Sequence, residues 1–149
     1  MTIASASTAA LARAFALAPL AALMVVLATP AAAETPLYDN WNPAACSGTD
    51  RSRFEVGVPI RVDRIEVWYN WKAGERSVAF RLEKDGTTIV QGTMARGSCD
   101  PYQSAWCVAT WAPGVDFDTG IYTVVLARPA VCVNGGSNGG FIRVWGAPH

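Results

Sequence analysis

Cys46, Cys99, Cys107 and Cys132 all lie downstream of an apolar N-terminal segment that carries the marks of an export signal, and this placement constrains the chain more than any other feature. Arg13 supplies a positive n-region, Phe15 to Ala28 form an apolar h-region, and Thr29-Pro30-Ala31-Ala32-Ala33 ends in the small-residue pattern that signal peptidase cuts. The expectation is a signal peptide over residues 1–33 and one domain over residues 34–149, located in the periplasm or outside the cell. The residue directly after the cut is Glu34 and not a cysteine, so a lipid-modified N terminus is not suggested. An even number of cysteines in a short exported chain implies two disulfides.

Four cysteines allow three pairings. The favoured one joins Cys99 to Cys107, closing a short segment, and Cys46 to Cys132, tying the N-terminal segment to the far end of the fold. Zinc is the competing use of four cysteines, but the spacing lacks paired C-x-x-C knuckles and the compartment is oxidising, so no metal site is assigned to them.

Cleavage leaves 116 residues, enough for one domain with a single core and little burial to spare. It also leaves 11 basic and 12 acidic residues, a formal charge of −1 with His149 neutral. That balance, without a run of like charge, gives no electrostatic footprint for nucleic acid. No apolar run in the mature chain approaches the roughly 20 residues that span a bilayer.

From Phe54 onward apolar and polar residues alternate in twos between Gly, Asp, Asn and Pro, the pattern of short antiparallel strands. Ile65, Val67, Tyr69 and Trp71 share one face of a strand, the expected core face; Glu66, Trp68 and Asn70 share the other. Val78, Phe80 and Leu82 repeat the alternation, Asp85-Gly86 signals a hairpin, and a returning strand runs through Ile89 and Val90. Further strands are expected at Gly120–Leu126 and Phe141–Trp145, the latter entered through a glycine-rich loop from Asn134 to Gly140 that Cys132 would anchor. The expected fold is all-β: a two-layer antiparallel β-sandwich of seven to eight strands, jelly-roll or Ig-like in connection.

The run Gly120-Ile121-Tyr122-Thr123-Val124-Val125-Leu126 resembles the late strand of bacterial pre-peptidase C-terminal-type domains and of many carbohydrate-binding β-sandwich modules. The resemblance covers these seven residues and implies a jelly-roll-like fold, export and an accessory binding role. The segment from Cys99 to Cys107 is not part of that pattern, so no ligand residues carry over.

The single histidine is His149, so catalysis that needs imidazole has none in the body of the domain. A hydrolase would rely on carboxylates, with Glu66 and Glu83 as the candidate acid and base. Asp116 and Asp118, flanking Phe117, could offer oxygens to calcium, the one cofactor considered.

Six tryptophans and four tyrosines are a heavy aromatic load for this length. Flat rings stack on the C–H faces of sugars while neighbouring amides and charges bond the hydroxyls. Trp71, on the Ile65 stripe, reads as core; Trp68 lies on the polar face with Glu66 and Asn70, and is either an exposed platform or covered packing. Arg81, on the polar face of the next strand, would complete that patch or pair with Glu66. Tyr102 and Trp106 sit in the short disulfide loop, either held outward or folded back over the sheet. Trp41, within Tyr38-Asp39-Asn40-Trp41-Asn42-Pro43, belongs to a ligand rim or a set of turns. The leading expectation is a non-catalytic exported module that binds a glycan or cell-envelope ligand. The alternatives are a protein-interaction module or enzyme inhibitor acting through the Cys99–Cys107 loop, and a small carboxylate-dependent glycoside hydrolase.

Overall fold

A computed structural model describes residues 34–149, and the export signal expected in residues 1–33 lies outside the described residues. The described residues form eleven strands: β1 (Tyr38–Asp39), β2 (Ser47–Thr49), β3 (Arg51–Val56), β4 (Ile60–Asn70), β5 (Ser77–Lys84), β6 (Thr87–Cys99), β7 (Trp106–Trp111), β8 (Val115–Phe117), β9 (Gly120–Leu126), β10 (Val131–Val133) and β11 (Ile142–Pro148). Among these residues there is no helix, and none long and apolar enough to cross a membrane. All pairings are antiparallel, in the order β1-β11-β4-β7-β6-β5-β9-β3, with β10 joining β2 to β4 and β8 pairing with the start of β4.

The sheet is nearly closed. Gly140 donates its N–H to the Arg51 carbonyl at 3.0 Å, and the buried Ser52 hydroxyl donates to the Phe141 carbonyl at 3.4 Å, so the chain entering β11 meets β3 from the far end of the path. A Cβ on Gly140 would run into the Arg51 carbonyl and lie 2.8 Å from Val131 Cγ1. Only glycine permits so close a backbone approach.

The strand alternation follows the sequence pattern. In β4, Ile65, Val67 and Tyr69 are buried and Glu66, Trp68 and Asn70 are half-buried on the other face. Val62 is buried as well, because a register shift at Trp145/Gly146 on β11 leaves an extra residue on β4 and reverses the alternation. Val78, Phe80 and Leu82 of β5 and Tyr122, Val124 and Leu126 of β9 complete the inner face. Asp85 and Gly86 take positive φ values of 49° and 84°, the geometry of a two-residue hairpin turn between Lys84 and Thr87. Trp71 is core, with its indole N–H donating to the Cys107 carbonyl at 3.2 Å and its ring set edge-on to Tyr69.

Both expected disulfides are present, Cys46–Cys132 and Cys99–Cys107, with no free cysteine among the described residues. Such bridges fit an oxidising compartment. The strand count exceeds the seven to eight expected because β1, β2, β8 and β10 are each two or three residues long, too short to show a period.

Candidate functional site

The order β11-β4-β7 puts three outer faces side by side, and the register decides which side chains meet there. Arg143 lies opposite Glu66, Trp68 opposite Val108, and Asn70 opposite Trp106. Trp68 therefore stands on the middle strand, with Arg143 on one flank and Trp106 on the other.

Residues 41–46, after β1, fold toward this face, and the Trp41 ring meets the Trp68 ring at a centroid distance of 5.3 Å, tilted by 54°. Local polar bonds account for the path of this segment. Asp39 Oδ1 accepts the Trp41 N–H at 2.9 Å and Asn42 Oδ1 accepts the Ala44 N–H at 3.1 Å, two Asx-type turns. The Asn42 and Asn134 amides bond each other reciprocally at 3.1 and 2.8 Å. Asn40 donates to the Ser137 and Gly140 carbonyls and accepts the Ile142 N–H at 2.7 Å. The aromatic and amide cluster before the first long strand thus makes turns, clamps the glycine-rich loop and lines a cleft.

That cleft has a volume of about 690 Å³ and is open to solvent. Trp41, Trp68 and Trp106 line it together with Asn42, Asp100, Gln103 and Arg143, and the Cys46–Cys132 bridge and Phe141 form part of its wall. The β7 side is stiffened by the second bridge. Asp100 Oδ1 accepts the N–H groups of Tyr102 and Gln103 at 2.7 and 3.2 Å, and Arg96 donates to the Ser104 carbonyl at 2.8 Å and to Cys107 Sγ at 3.2 Å.

Of the residues singled out from sequence, Trp41, Trp68 and Trp106 meet in the cleft. Trp68 is neither a bare platform nor sealed in: one side is paired with Trp41, and it remains half-buried. Asn70 shares its face but lies outside the cleft lining, and its carbonyl accepts an Arg128 N–H at 2.6 Å. Glu66 is held by Arg64 Nε at 2.9 Å and by the Trp145 indole N–H at 3.1 Å, so it serves a neighbouring cluster in which Arg64 also stacks on Trp145. Arg81 does not complete the patch and does not pair with Glu66. It bonds Glu83 at 2.7 Å on β5, which β6 and β7 separate from β4. The same separation parts Glu66 from Glu83, so they do not form an acid and base pair. Tyr102 does not fold back: it is 94% exposed at the turn of the disulfide loop and outside the cleft lining.

Asp116 faces Arg61 at 3.5 Å and His149 at 2.9 Å, while Asp118 lies 3.9 Å from Lys84, so each carboxylate is turned to a cation of this chain. Among the described residues no three His, Cys, Asp or Glu side chains come together as a metal site would require.

Sequence reasoning missed Arg143, Asp100 and Gln103, whereas Asn42 belonged to the cluster expected as a ligand rim. Arg143 had a signal, since the β11 alternation sets it on the face opposite Ile142 and Val144, but pairing β11 beside β4 was not readable. No protein-family model, curated protein or solved structure matches this chain.

Proposed function

We propose that this protein is an exported, periplasmic or extracellular, binding module that holds a glycan or cell-envelope polysaccharide in the Trp41–Trp68–Trp106 cleft without turning it over. The observation that carries this reading is the convergence of three half-buried indoles with Asn42, Gln103, Asp100 and Arg143 around one open cleft. Indole faces cover the apolar face of a sugar ring, and the amides and charges answer its hydroxyls. Disulfides on both sides of the cleft, with the Asn42–Asn134 pair, hold the rings in place before ligand arrives, which lowers the ordering cost of binding.

Affinity electrophoresis of the purified, oxidised protein through gels containing soluble polysaccharides tests the reading. Retardation by one or more polymers, abolished in a folded Trp68→Ala variant, is the expected result. Unchanged mobility in every gel counts against it.

A second reading is supported by Tyr102, which is almost fully exposed on a loop braced by Cys99–Cys107 and Arg96. A rigid loop with a protruding phenol suits insertion into a protein partner, as in an enzyme inhibitor. Under this reading Tyr102→Ala weakens capture of a cell-surface or secreted protein while leaving polysaccharide retardation untouched.

A further inference from the structure

We propose that the ligand of the cleft carries carboxylates, a uronic-acid polysaccharide, and that Arg143 is the residue that selects it. This rests on the carbohydrate reading above and adds the class of sugar.

Arg143 is fixed by two partners. Its Nε donates to Asp39 Oδ2 at 2.9 Å, and its guanidinium carbon lies 3.8 Å from the centroid of the Trp41 ring. Asp39 uses its other oxygen to hold the Trp41 backbone N–H, so guanidinium, indole and carboxylate form one braced unit at the cleft edge. The side chain remains about one-third exposed, at 32%.

What this bracing leaves unused decides the chemistry. The bond to Asp39 employs Nε alone, and the two terminal nitrogens of Arg143 donate to no protein acceptor among the described residues. A guanidinium fork with its plane fixed matches the two oxygens of a carboxylate, and charge-assisted bonds of this kind are about twice as strong as neutral ones. Of the other polar groups of the cleft, Gln103 is a neutral amide, and two more are partly committed. Asp100 Oδ1 accepts two backbone N–H groups, and the Asn42 amide is bonded to Asn134 and Ala44.

The placement also suits a uronate ring. Such a ring carries its carboxylate at the rim, near the ring plane, while the C–H bonds of its stacking face point perpendicular to that plane. Arg143 stands opposite Glu66, diagonal to Trp68 on the same outer face, and covers the Trp41 ring, so a sugar ring lying on Trp68 and Trp106 directs its rim carboxylate sideways to the guanidinium. Asp100 belongs to the β6–β7 connection on the far flank, where β11 and β7 are about 10 Å apart across β4. There it meets hydroxyls and stays clear of the carboxylate.

Isothermal titration of the oxidised protein with polygalacturonate, dextran and dextran sulfate of matched chain length separates the possibilities. The expected result is at least about tenfold tighter binding of polygalacturonate than of dextran, weakening as salt is raised through about 0.3 M. Arg143→Gln brings polygalacturonate down to the dextran level, and Arg143→Lys, which keeps the charge but loses the fork, restores only part of the preference. Trp68→Ala loses both polymers. Equal binding of dextran and polygalacturonate, unaffected by Arg143→Gln, overturns the inference while the carbohydrate reading stands. Dextran sulfate binding as tightly as polygalacturonate overturns the assignment to carboxylate, and absence of binding by every polymer overturns the carbohydrate reading beneath it. If Arg143→Gln fails to fold, the wild-type polymer preference tests the carboxylate and Arg143→Lys tests the residue: an undiminished preference in that variant overturns the assignment to Arg143.

Discussion

Removing the disulfides one at a time gives unequal losses whose order follows from chain topology. Cys46–Cys132 spans 86 residues and Cys99–Cys107 spans 8. The entropy lost by the unfolded chain on closing such loops corresponds to about 4.5 kcal/mol for the long bridge and about 2.5 kcal/mol for the short one. Each bridge has one buried partner, Cys132 and Cys107, so Cys46→Ala/Cys132→Ala and Cys99→Ala/Cys107→Ala leave comparable voids. The difference of about 2 kcal/mol therefore isolates loop length. At about 4 °C per kcal/mol for a domain of this size, Tm falls by about 18 °C and about 10 °C respectively. Urea unfolding followed by tryptophan fluorescence, with thermal melts alongside, measures both. The long-bridge variant should also show a larger dependence on urea, because its unfolded state is freer to expand. Equal losses, or a larger loss from the short bridge, would refute the argument that loop closure dominates.

Three further substitutions probe other parts of the account. Burial alone would raise the Glu75 carboxyl, but the Lys72 N–H and the Arg128 guanidinium, 2.7 Å away, outweigh it and hold the group below its usual range. A lowered carboxyl contributes stability above the ordinary glutamate pKa and loses it as pH falls, so Glu75→Gln should cost about 0.5–1.5 kcal/mol at pH 7. In urea melts across pH that gap narrows as pH falls below the ordinary glutamate range, and a gap of unchanged size in strong acid, where the carboxyl is protonated, would contradict the assignment. Gly140→Ala should cost about 1–3 kcal/mol by chemical denaturation, because its methyl meets the Arg51 carbonyl and Val131. Gly57→Ala, with nothing within 4 Å of the added carbon, should stay within about 0.5 kcal/mol of wild type.

Much of this fold was legible because period-two alternation survives wherever one face of a strand is polar. The long strands β4, β5 and β9 and the Asp85-Gly86 turn all carry that mark. β7 did not, since Cys107, Val108 and Ala109 are buried in succession and erase the alternation. The cysteine pairing was legible because the segment from Cys99 to Cys107 is short enough to close on itself. The cleft was half legible. Trp68 betrayed itself as an aromatic on a polar face, and Trp41 and Trp106 as aromatics among turn-formers or beside a cysteine. Their meeting depends on β11 and β7 flanking β4, a long-range pairing that local pattern does not encode. For the same reason Arg81 looked like a neighbour of Glu66 from its position on the next strand in sequence, whereas in the sheet two other strands intervene.

The most direct test of the cleft as the binding site is a ¹H–¹⁵N spectrum of the indole N–H groups recorded as trigalacturonate is added. All six tryptophans report, and they are divided by location: Trp41, Trp68 and Trp106 line the cleft, Trp71 is in the core, Trp111 packs on Phe80, and Trp145 is bonded to Glu66. The account predicts saturable shifts for the three cleft indoles, with Trp71 and Trp111 unmoved and Trp145, outside the cleft lining but bonded to the Glu66 that faces Arg143, at most slightly changed. Saturable shifts confined to indoles outside the cleft, or none under conditions that saturate retardation, would contradict it.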